Sequence, residues 1–131
     1  MVTKKVLVIA LLFVGVLLIA GCASGGGKEY TSPNQPIEVK VGEQFIITLD
    51  SNPTTGYKWE ASFDQSLLKL VKSEFKQDAS KPGMVGVGGK EQFLFEGLKG
   101  TDTKITLTYK RPWEQQSSDA KVLTFTVKVR K

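Results

Sequence analysis

The sequence has no histidine and a single cysteine among its 131 residues, and these absences exclude most catalytic chemistry. Without histidine, the chain lacks the commonest general base and the commonest nitrogen ligand of metal ions. One cysteine cannot form an intrachain disulfide, a Cys–His pair or a Cys-x-x-Cys site. The carboxylates are scattered, and their spacing pairs no two of them across a cleft. We therefore expect no enzyme activity, no metal and no cofactor.

The glycine-rich residues 83–90 do not form a phosphate-binding motif. Lys90 is displaced from the position that such a loop requires, and no Ser or Thr follows it to hold Mg²⁺. Of 18 basic and 13 acidic side chains, two lysines lie in the first 21 residues, which leaves the rest with a net charge of +3 and no basic cluster. A nucleic-acid partner is therefore not expected.

The first 21 residues resemble a bacterial lipoprotein signal peptide. Lys4 and Lys5 form a basic n-region, and residues 6–20 form an apolar run that is too short to span a membrane easily. The run ends in Leu18-Ile19-Ala20-Gly21-Cys22, which is similar to a lipobox. This resemblance implies cleavage before Cys22 and acylation there, palmitate included, and two or more acyl chains hold a protein stably on a membrane. An uncleaved anchor with an incidental cysteine is the alternative.

The sequence thus divides into a signal peptide (1–21), a lipidated cysteine with a flexible, glycine-rich tether (22–35) and one domain (36–131). We expect an extracytoplasmic monomer, anchored to the membrane of a bacterium at the cell surface or on the periplasmic side. Because Cys22 is the only cysteine, the domain must be stabilised by its hydrophobic core, for which its length suffices.

From residue 36 onward, apolar and polar residues alternate with the period of two that is typical of β-strands. Seven strands are predicted at residues 37–41, 44–50, 57–63, 68–76, 92–96, 104–110 and 123–129. Short strands separated by Gly and Pro turns predict an all-β fold, an immunoglobulin-like antiparallel sandwich with Trp59 in its core. If the strands alternate in direction, the loops at 51–56, 77–89 and 111–120 meet at one end. Functional residues favour such loops.

The loop at 51–56 has the composition of a rigid turn. Asn52 and Pro53 begin it, Gly56 permits a positive φ at its exit, and Thr54 and Thr55 are expected to project their hydroxyls between these ends. By itself this pattern is equally consistent with a plain turn.

Three motifs together resemble the signature loops of the chagasin family. Members of this family are immunoglobulin-like sandwiches that inhibit papain-type cysteine proteases. The three motifs are Asn52-Pro53-Thr54-Thr55-Gly56-Tyr57-x-Trp59, Gly86-Val87-Gly88-Gly89 and Arg111-Pro112-Trp113. The resemblance covers about residues 37–129 and implies reversible, tight inhibition by occlusion of the active-site cleft. The family has bacterial members, in agreement with the lipobox.

The resemblance also implies a role for each motif. Thr54 and Thr55, held by Pro53 and Gly56, would enter the catalytic cleft. The middle loop would flank one side through Val85, Gly86, Val87, Gly88 and Gly89. Arg111 and Trp113 would flank the other side, with Pro112 fixing the angle between them and Trp113 as the anchor. Val87 stands where a smaller residue is common in the family. Asn52 completes the binding set, and Tyr57 is included although we expect it to belong mainly to the core.

Two other functions are compatible with the pattern. A surface adhesion or ligand-binding sandwich could use the same loops for a glycan or another protein, with Arg111 and Trp113 stacking on a sugar. A structural envelope lipoprotein would make no specific use of them.

Overall fold

The computed structural model describes residues 27–79, 82–115 and 120–131. They form a sandwich of two four-stranded sheets, with a short 3₁₀ helix at Pro53–Thr55. The predicted signal peptide and Cys22 lie outside the described residues. Within the described part there is no helix long and apolar enough to cross a membrane. The strands are β1 (Lys28–Tyr30), β2 (Ile37–Lys40), β3 (Gln44–Ser51), β4 (Lys58–Phe63), β5 (Leu68–Gln77), β6 (Gly89–Gly97), β7 (Asp102–Lys110) and β8 (Lys121–Arg130).

The two sheets have the orders β1-β3-β6-β5 and β2-β8-β7-β4. All sheet neighbours are antiparallel except β1 with β3 and β2 with β8, which are parallel. The bonds of Asn52 to Tyr109 and of Trp59 to Asp50 bring the end of β3 next to the end of β7 and the start of β4, and together with the pairing this makes β2 to β8 alternate in direction along the chain. The predicted antiparallel sandwich and the alternation of its seven strands are therefore confirmed.

The eighth strand, β1, was not predicted. Lys28–Tyr30 pairs with Phe45–Ile47 at one edge of the first sheet, although residues 22–35 were expected to form a flexible tether. Three residues are too few to show an alternating pattern, and only pairing with β3 satisfies their backbone groups. The structured part of the chain consequently begins earlier than residue 36.

Two further differences lie at strand boundaries. β6 begins at Gly89, three residues before the predicted start, because Gly89 pairs with both Ser51 and Gln77. β5 contains a register shift between Leu70 and Lys72, and this bulge accounts for its irregular alternation. Val41, expected to continue the apolar face of the first predicted strand, lies past the end of β2 and is 45% exposed.

The core fills the space between the sheets. Trp59 is 4% exposed, as predicted, and the rings of Phe45 and Phe95 stack with centroids 5.6 Å apart. Alternating side chains of each strand supply the other core residues, which are Ile37, Val39, Ile47, Leu49, Leu68, Phe93, Ile105, Leu107, Phe125, Val127 and Val129. This double-sided core holds the strand ends, and therefore the loops between them, in fixed positions.

Candidate functional site

The three predicted loops meet at one end of the sandwich. We call residues 52–57, 78–88 and 111–115 the three-loop end; positions 80, 81 and 116–119 lie outside the described residues. The Asn52 side-chain amide donates a hydrogen bond to the carbonyl oxygen of Gly86 at 3.1 Å. On the other side, Nε of Arg111 donates to the carbonyl oxygen of Thr55 at 3.1 Å. The first loop is therefore hydrogen-bonded to both of its neighbours.

The first loop is a single 3₁₀ turn closed at both ends. The Asn52 side-chain oxygen accepts from the Thr54 backbone amide at 3.2 Å, and Pro53 supplies the fixed φ of the first helical position. Gly56 ends the turn with φ of +83° and donates its amide to the Pro53 carbonyl at 3.0 Å. This positive φ is why glycine occupies the exit position.

Both threonine hydroxyls are used inside the loop. The Thr54 hydroxyl donates to the Asn52 side-chain oxygen at 2.5 Å, and the Thr55 hydroxyl donates to the Asn52 carbonyl at 2.6 Å. The hydroxyls were expected to project between the two ends of the loop, and both are bonded to Asn52 at one of these ends, because Asn52 offers two acceptors within their reach. The side chains of Pro53, Thr54 and Thr55 are nonetheless exposed at the tip, so the loop presents a blunt surface of fixed shape.

Stacked aromatic rings lie beneath this loop. The backbone amide of Asn52 donates to the Tyr109 hydroxyl at 3.0 Å, and the Tyr109 ring stacks on Trp59 with centroids 4.9 Å apart. The indole Nε1 of Trp59 donates to the Asp50 carbonyl at 2.8 Å. Tyr57 packs against Tyr109 with ring centroids 5.2 Å apart and is half-buried, but it precedes β4 and is not part of the core cluster, so the expectation that it belongs mainly to the core is wrong. The position of the loop is thus determined by the core tryptophan through Tyr109.

The third loop combines a fixed cation with an exposed indole. The Arg111 guanidinium lies 4.6 Å above the Tyr57 ring and pairs with Glu114 at 3.3 Å, in addition to its bond to Thr55. Nε and one terminal nitrogen of Arg111 are therefore bonded within the protein, and in this geometry Arg111 holds the first loop through Thr55. Trp113 is 68% exposed beside the exposed Pro112, and a Cβ on Gly56 would lie 2.4 Å from its ring.

The middle loop carries the other exposed apolar residues of the three-loop end. Val85 is 94% exposed, and Gly86, with φ of +72°, follows it; Val87 is half-buried. A Cβ on Gly88 would lie 3.2 Å from the Ser51 carbonyl, so the middle loop passes close to the first. The three-loop end therefore has large exposed apolar side chains on both flanks of the first loop, Met84 and Val85 on one side and Trp113 on the other.

Gly89 has a role inside the sheet. A Cβ at this position would lie 2.1 Å from the Lys76 carbonyl, and the residue is buried where β5 and β6 pair. Gly89 was predicted as a contact of the middle loop, but its buried place in β6 explains the glycine by strand pairing instead.

Glu91 is a feature of the site that the sequence analysis missed. Its side chain is on the inner face of β6, where it is 6% exposed, and Oε2 accepts the Trp59 backbone amide at 3.3 Å. Burial raises the pKa of this carboxyl above its ordinary value of 4.5, and the Trp59 amide opposes the shift. With Tyr57, Phe75 and Trp113, Glu91 lines a groove of about 440 Å³ below the third loop. The alternation of β6, with Phe93 and Phe95 inward, would have indicated its position.

Replacing Glu91 by Gln should remove a pH dependence of stability. Because the pKa is raised by folding, the folded state binds more protons than the unfolded state above pH 4.5. The unfolding free energy of the wild type should therefore fall as pH rises from 4.5 through the raised pKa, by at most about 1.4 kcal/mol per pH unit. Urea unfolding between pH 4.5 and 7 measures it. E91Q should lack this component, and identical pH profiles for the two proteins would contradict the assignment.

Replacing Asn52 by Asp should loosen the contact between the first two loops. The carboxylate still accepts from Thr54 but cannot donate to Gly86, and it faces the Gly86 carbonyl with a negative charge. We expect the free energy of unfolding to fall by about 1–2 kcal/mol, which is the cost of leaving a hydrogen bond unmade. Thermal or urea unfolding measures this change. Any activity of the three-loop end should fall with it. Asn34→Asp is the matched control: Asn34 lies in the connection between β1 and β2, where its backbone amide donates to the Ser32 hydroxyl, and its substitution should leave both properties unchanged.

The described residues contain no group of three or more His, Cys, Asp or Glu side chains that could hold a metal ion. The three-loop end presents a blunt tip with exposed apolar side chains on both of its flanks, Met84, Val85 and Trp113. The turn at the tip is already closed by its own hydrogen bonds, so little conformational entropy would be lost if it entered a complementary cleft.

Comparisons with known proteins cover both the sheets and the loops. A family model described as "Chagasin family peptidase inhibitor I42" matches residues 38–129. Amoebiasin-1 of Entamoeba histolytica is 38% identical over 96 residues, which cover 73% of this chain and 89% of that protein. Chagasin of Trypanosoma cruzi is 33% identical over 98 residues, which cover 70% and 86%. The crystal structure of the cysteine protease inhibitor EhICP2 from Entamoeba histolytica aligns with a TM-score of 0.67 at 26% identity, over 80% of this chain and 96% of that one.

Proposed function

This chain belongs to the chagasin family of cysteine protease inhibitors and is not an enzyme, and we propose that it inhibits papain-type proteases by inserting its three-loop end into their active-site cleft. Thr54 and Thr55 would lie against the catalytic groups of the protease. Val85 to Gly88 would contact one wall of the cleft, and Pro112 and Trp113 the other. Arg111 and Asn52 would act mainly by holding the first loop between its neighbours.

The conformation of the first loop carries the proposal. A peptide substrate binds a protease in an extended conformation, with its scissile bond aligned for attack. Pro53–Thr55 instead forms a 3₁₀ turn, closed by the bonds of Asn52 and by the left-handed Gly56. Such a turn can fill the cleft without presenting an aligned peptide bond. Inhibition by this route is steric and reversible, and the inhibitor leaves the complex uncleaved.

The energy of binding would come from the flanks. Trp113 and Val85 are exposed before binding, and burial of a large exposed aromatic side chain is a common source of interface hot spots. Because the loops are already ordered, little of this energy is lost to ordering them. An interface of ordinary protease–inhibitor size buries about 1,600 Å² in total, enough for tight binding.

Titration of papain with the chain from residue 27 onward tests the proposal. Hydrolysis of a peptide substrate should be inhibited competitively and reversibly at sub-micromolar inhibitor, and the inhibitor should be recovered uncleaved. Absence of inhibition at micromolar concentration, or cleavage between residues 53 and 56, would contradict the proposed mode.

We further propose that residues 1–21 are removed and Cys22 is acylated, which would place the inhibitor on the extracytoplasmic side of a bacterial membrane. The lipobox-like sequence before Cys22, the basic Lys4 and Lys5 and the short apolar run support this proposal. Mass spectrometry of the wild-type chain purified from bacterial membranes should show an N-terminus at Cys22 and acyl groups on that residue. A chain that begins at residue 22 and carries Cys22→Ser is the soluble control. An unmodified thiol at Cys22, or a membrane-bound chain that keeps residues 1–21, would contradict the proposal.

A further inference from the structure

The unpredicted strand β1 shows where the chain enters the domain. β1 is parallel to β3, with Lys28 beside Phe45 and Tyr30 beside Ile47. β3 runs from Gln44 to Ser51, where it reaches the three-loop end. The beginning of β1 therefore lies near the beginning of β3, at the end of the sandwich opposite the three loops.

Gly27 shows more closely where the chain first contacts β3. A Cβ on Gly27 would lie 2.0 Å from the Gln44 carbonyl oxygen and 2.9 Å from the Phe45 Cα. No other residue fits against the β3 backbone at this distance. The chain is consequently in contact with the first residues of β3 from Gly27 onward, and in sequence only residues 23–26 separate Cys22 from this point.

We propose that β1 sets the orientation of the anchored protein: with Cys22 in the membrane, the three-loop end faces away from the lipid surface and captures proteases that diffuse in the aqueous phase. The inference rests on the proposed acylation and protease binding. Beyond that function, the orientation specifies which face of the domain is accessible and which class of protease can reach the three-loop end. Proteases whose catalytic domains are held close to the same membrane are outside its reach.

Chain lengths support this orientation. β3 is eight residues long, so the loops stand about 25 Å beyond the attachment point. Residues 22–26 span at most about 18 Å even when fully extended. An inverted domain would therefore press its loops into the lipid, and no protease domain, about 30 Å across, would fit between them. Chain length therefore excludes the inverted arrangement, whereas the upright one leaves the loops free.

The end opposite the loops is compatible with a lipid surface. We call residues 27–28, 40–43, 64–67, 97–101 and 130–131 the basal end. Its charged side chains include Lys28, Lys40, Lys99, Arg130 and Lys131, opposed by Glu43 and Asp64. All five basic residues are exposed. Anionic headgroups attract such side chains, so the membrane and the basal end attract rather than repel each other.

Fluorescence energy transfer on vesicles tests the orientation directly. The full-length chain is expressed in bacteria, purified in its lipidated form and reconstituted into liposomes that carry an acceptor dye on lipid headgroups. The donor is placed on a cysteine at the basal end (Lys99→Cys) or next to the third loop (Lys121→Cys). We expect the transfer efficiency of K99C to exceed that of K121C roughly twofold or more, because β8 separates the two positions by most of the length of the sandwich.

Equal efficiencies, or a higher one for K121C, would overturn the inference, as would the absence of an acyl group on Cys22. C22S versions of both labelled proteins are the controls and should show no transfer. These measurements contain no protease, so they decide the orientation even if inhibition fails. In a separate assay, liposome-bound and C22S protein should inhibit soluble papain equally. A tenfold weaker effect of the bound form alone would show that the loops face the lipid.

Discussion

Gly56→Ala is expected to weaken inhibition of papain-type proteases by roughly 30- to 1,000-fold. The new methyl group would lie 2.4 Å from the Trp113 ring, so the indole must move from its position on the flank of the first loop. It would also strain the backbone, which has φ of +83° at this residue. Displacement of a hot-spot aromatic costs about 2–4 kcal/mol of binding free energy, which corresponds to this change in Ki.

Gly42→Ala is the matched control for that substitution. Gly42 has φ of +84°, yet a Cβ there meets no atom within 4 Å, and the residue lies at the opposite end of the sandwich. Both substitutions carry a similar strain of about 1–2 kcal/mol, so both should lower the thermal midpoint. Only G56A should raise Ki. If the two variants lose inhibition equally, the loss arises from general destabilisation. The assignment of a role in inhibition to the Gly56–Trp113 contact would then be wrong.

Trp113→Ala is expected to raise Ki by a similar factor with little change in folding. The indole is 68% exposed in the free protein, so its removal takes away little buried area from the fold but a large part of the interface. A loss of about 2–4 kcal/mol is typical for a central aromatic hot spot. Ki is measured by competition with a peptide substrate, and stability by thermal unfolding.

Val122→Ala is the comparison for Trp113→Ala. Val122 is an exposed apolar residue of β8, 56% exposed and outside the three-loop end as defined. Its truncation should leave both Ki and the thermal midpoint close to those of the wild type. A Ki for W113A within about twofold of the wild-type value would remove Trp113 from the binding surface.

Most of the sandwich could be predicted because it depends on local patterns. A period of two in seven segments fixes which side chains face inward, and Trp59 falls on the inner face for that reason. The alternation of strand direction then places the three loops at one end without any knowledge of pairing. β1 could not be predicted in this way, because its three residues are ordered only through distant pairing with Phe45–Ile47.

The details of the site depend on contacts between residues far apart in sequence. The backbone amide of Asn52 reaches Tyr109, and Arg111 reaches the Thr55 carbonyl, so neither role is visible in a motif. The same applies to Glu91, whose buried position follows from its strand but whose bond to Trp59 crosses between the sheets. The acceptors of the threonine hydroxyls could not be predicted either, because the Asn52 oxygens come within their reach only once the turn has formed.

In the proposed complex the three-loop end blocks the catalytic cysteine of the protease. The rate at which iodoacetamide alkylates that cysteine in papain at saturating inhibitor measures this directly. We expect alkylation to fall in proportion to the fraction of free protease, and we expect G56A to restore it at the same concentration while G42A does not. Alkylation at the full rate in a complex that no longer hydrolyses substrate would contradict this expectation, because the cleft would then be open and inhibition would act from elsewhere.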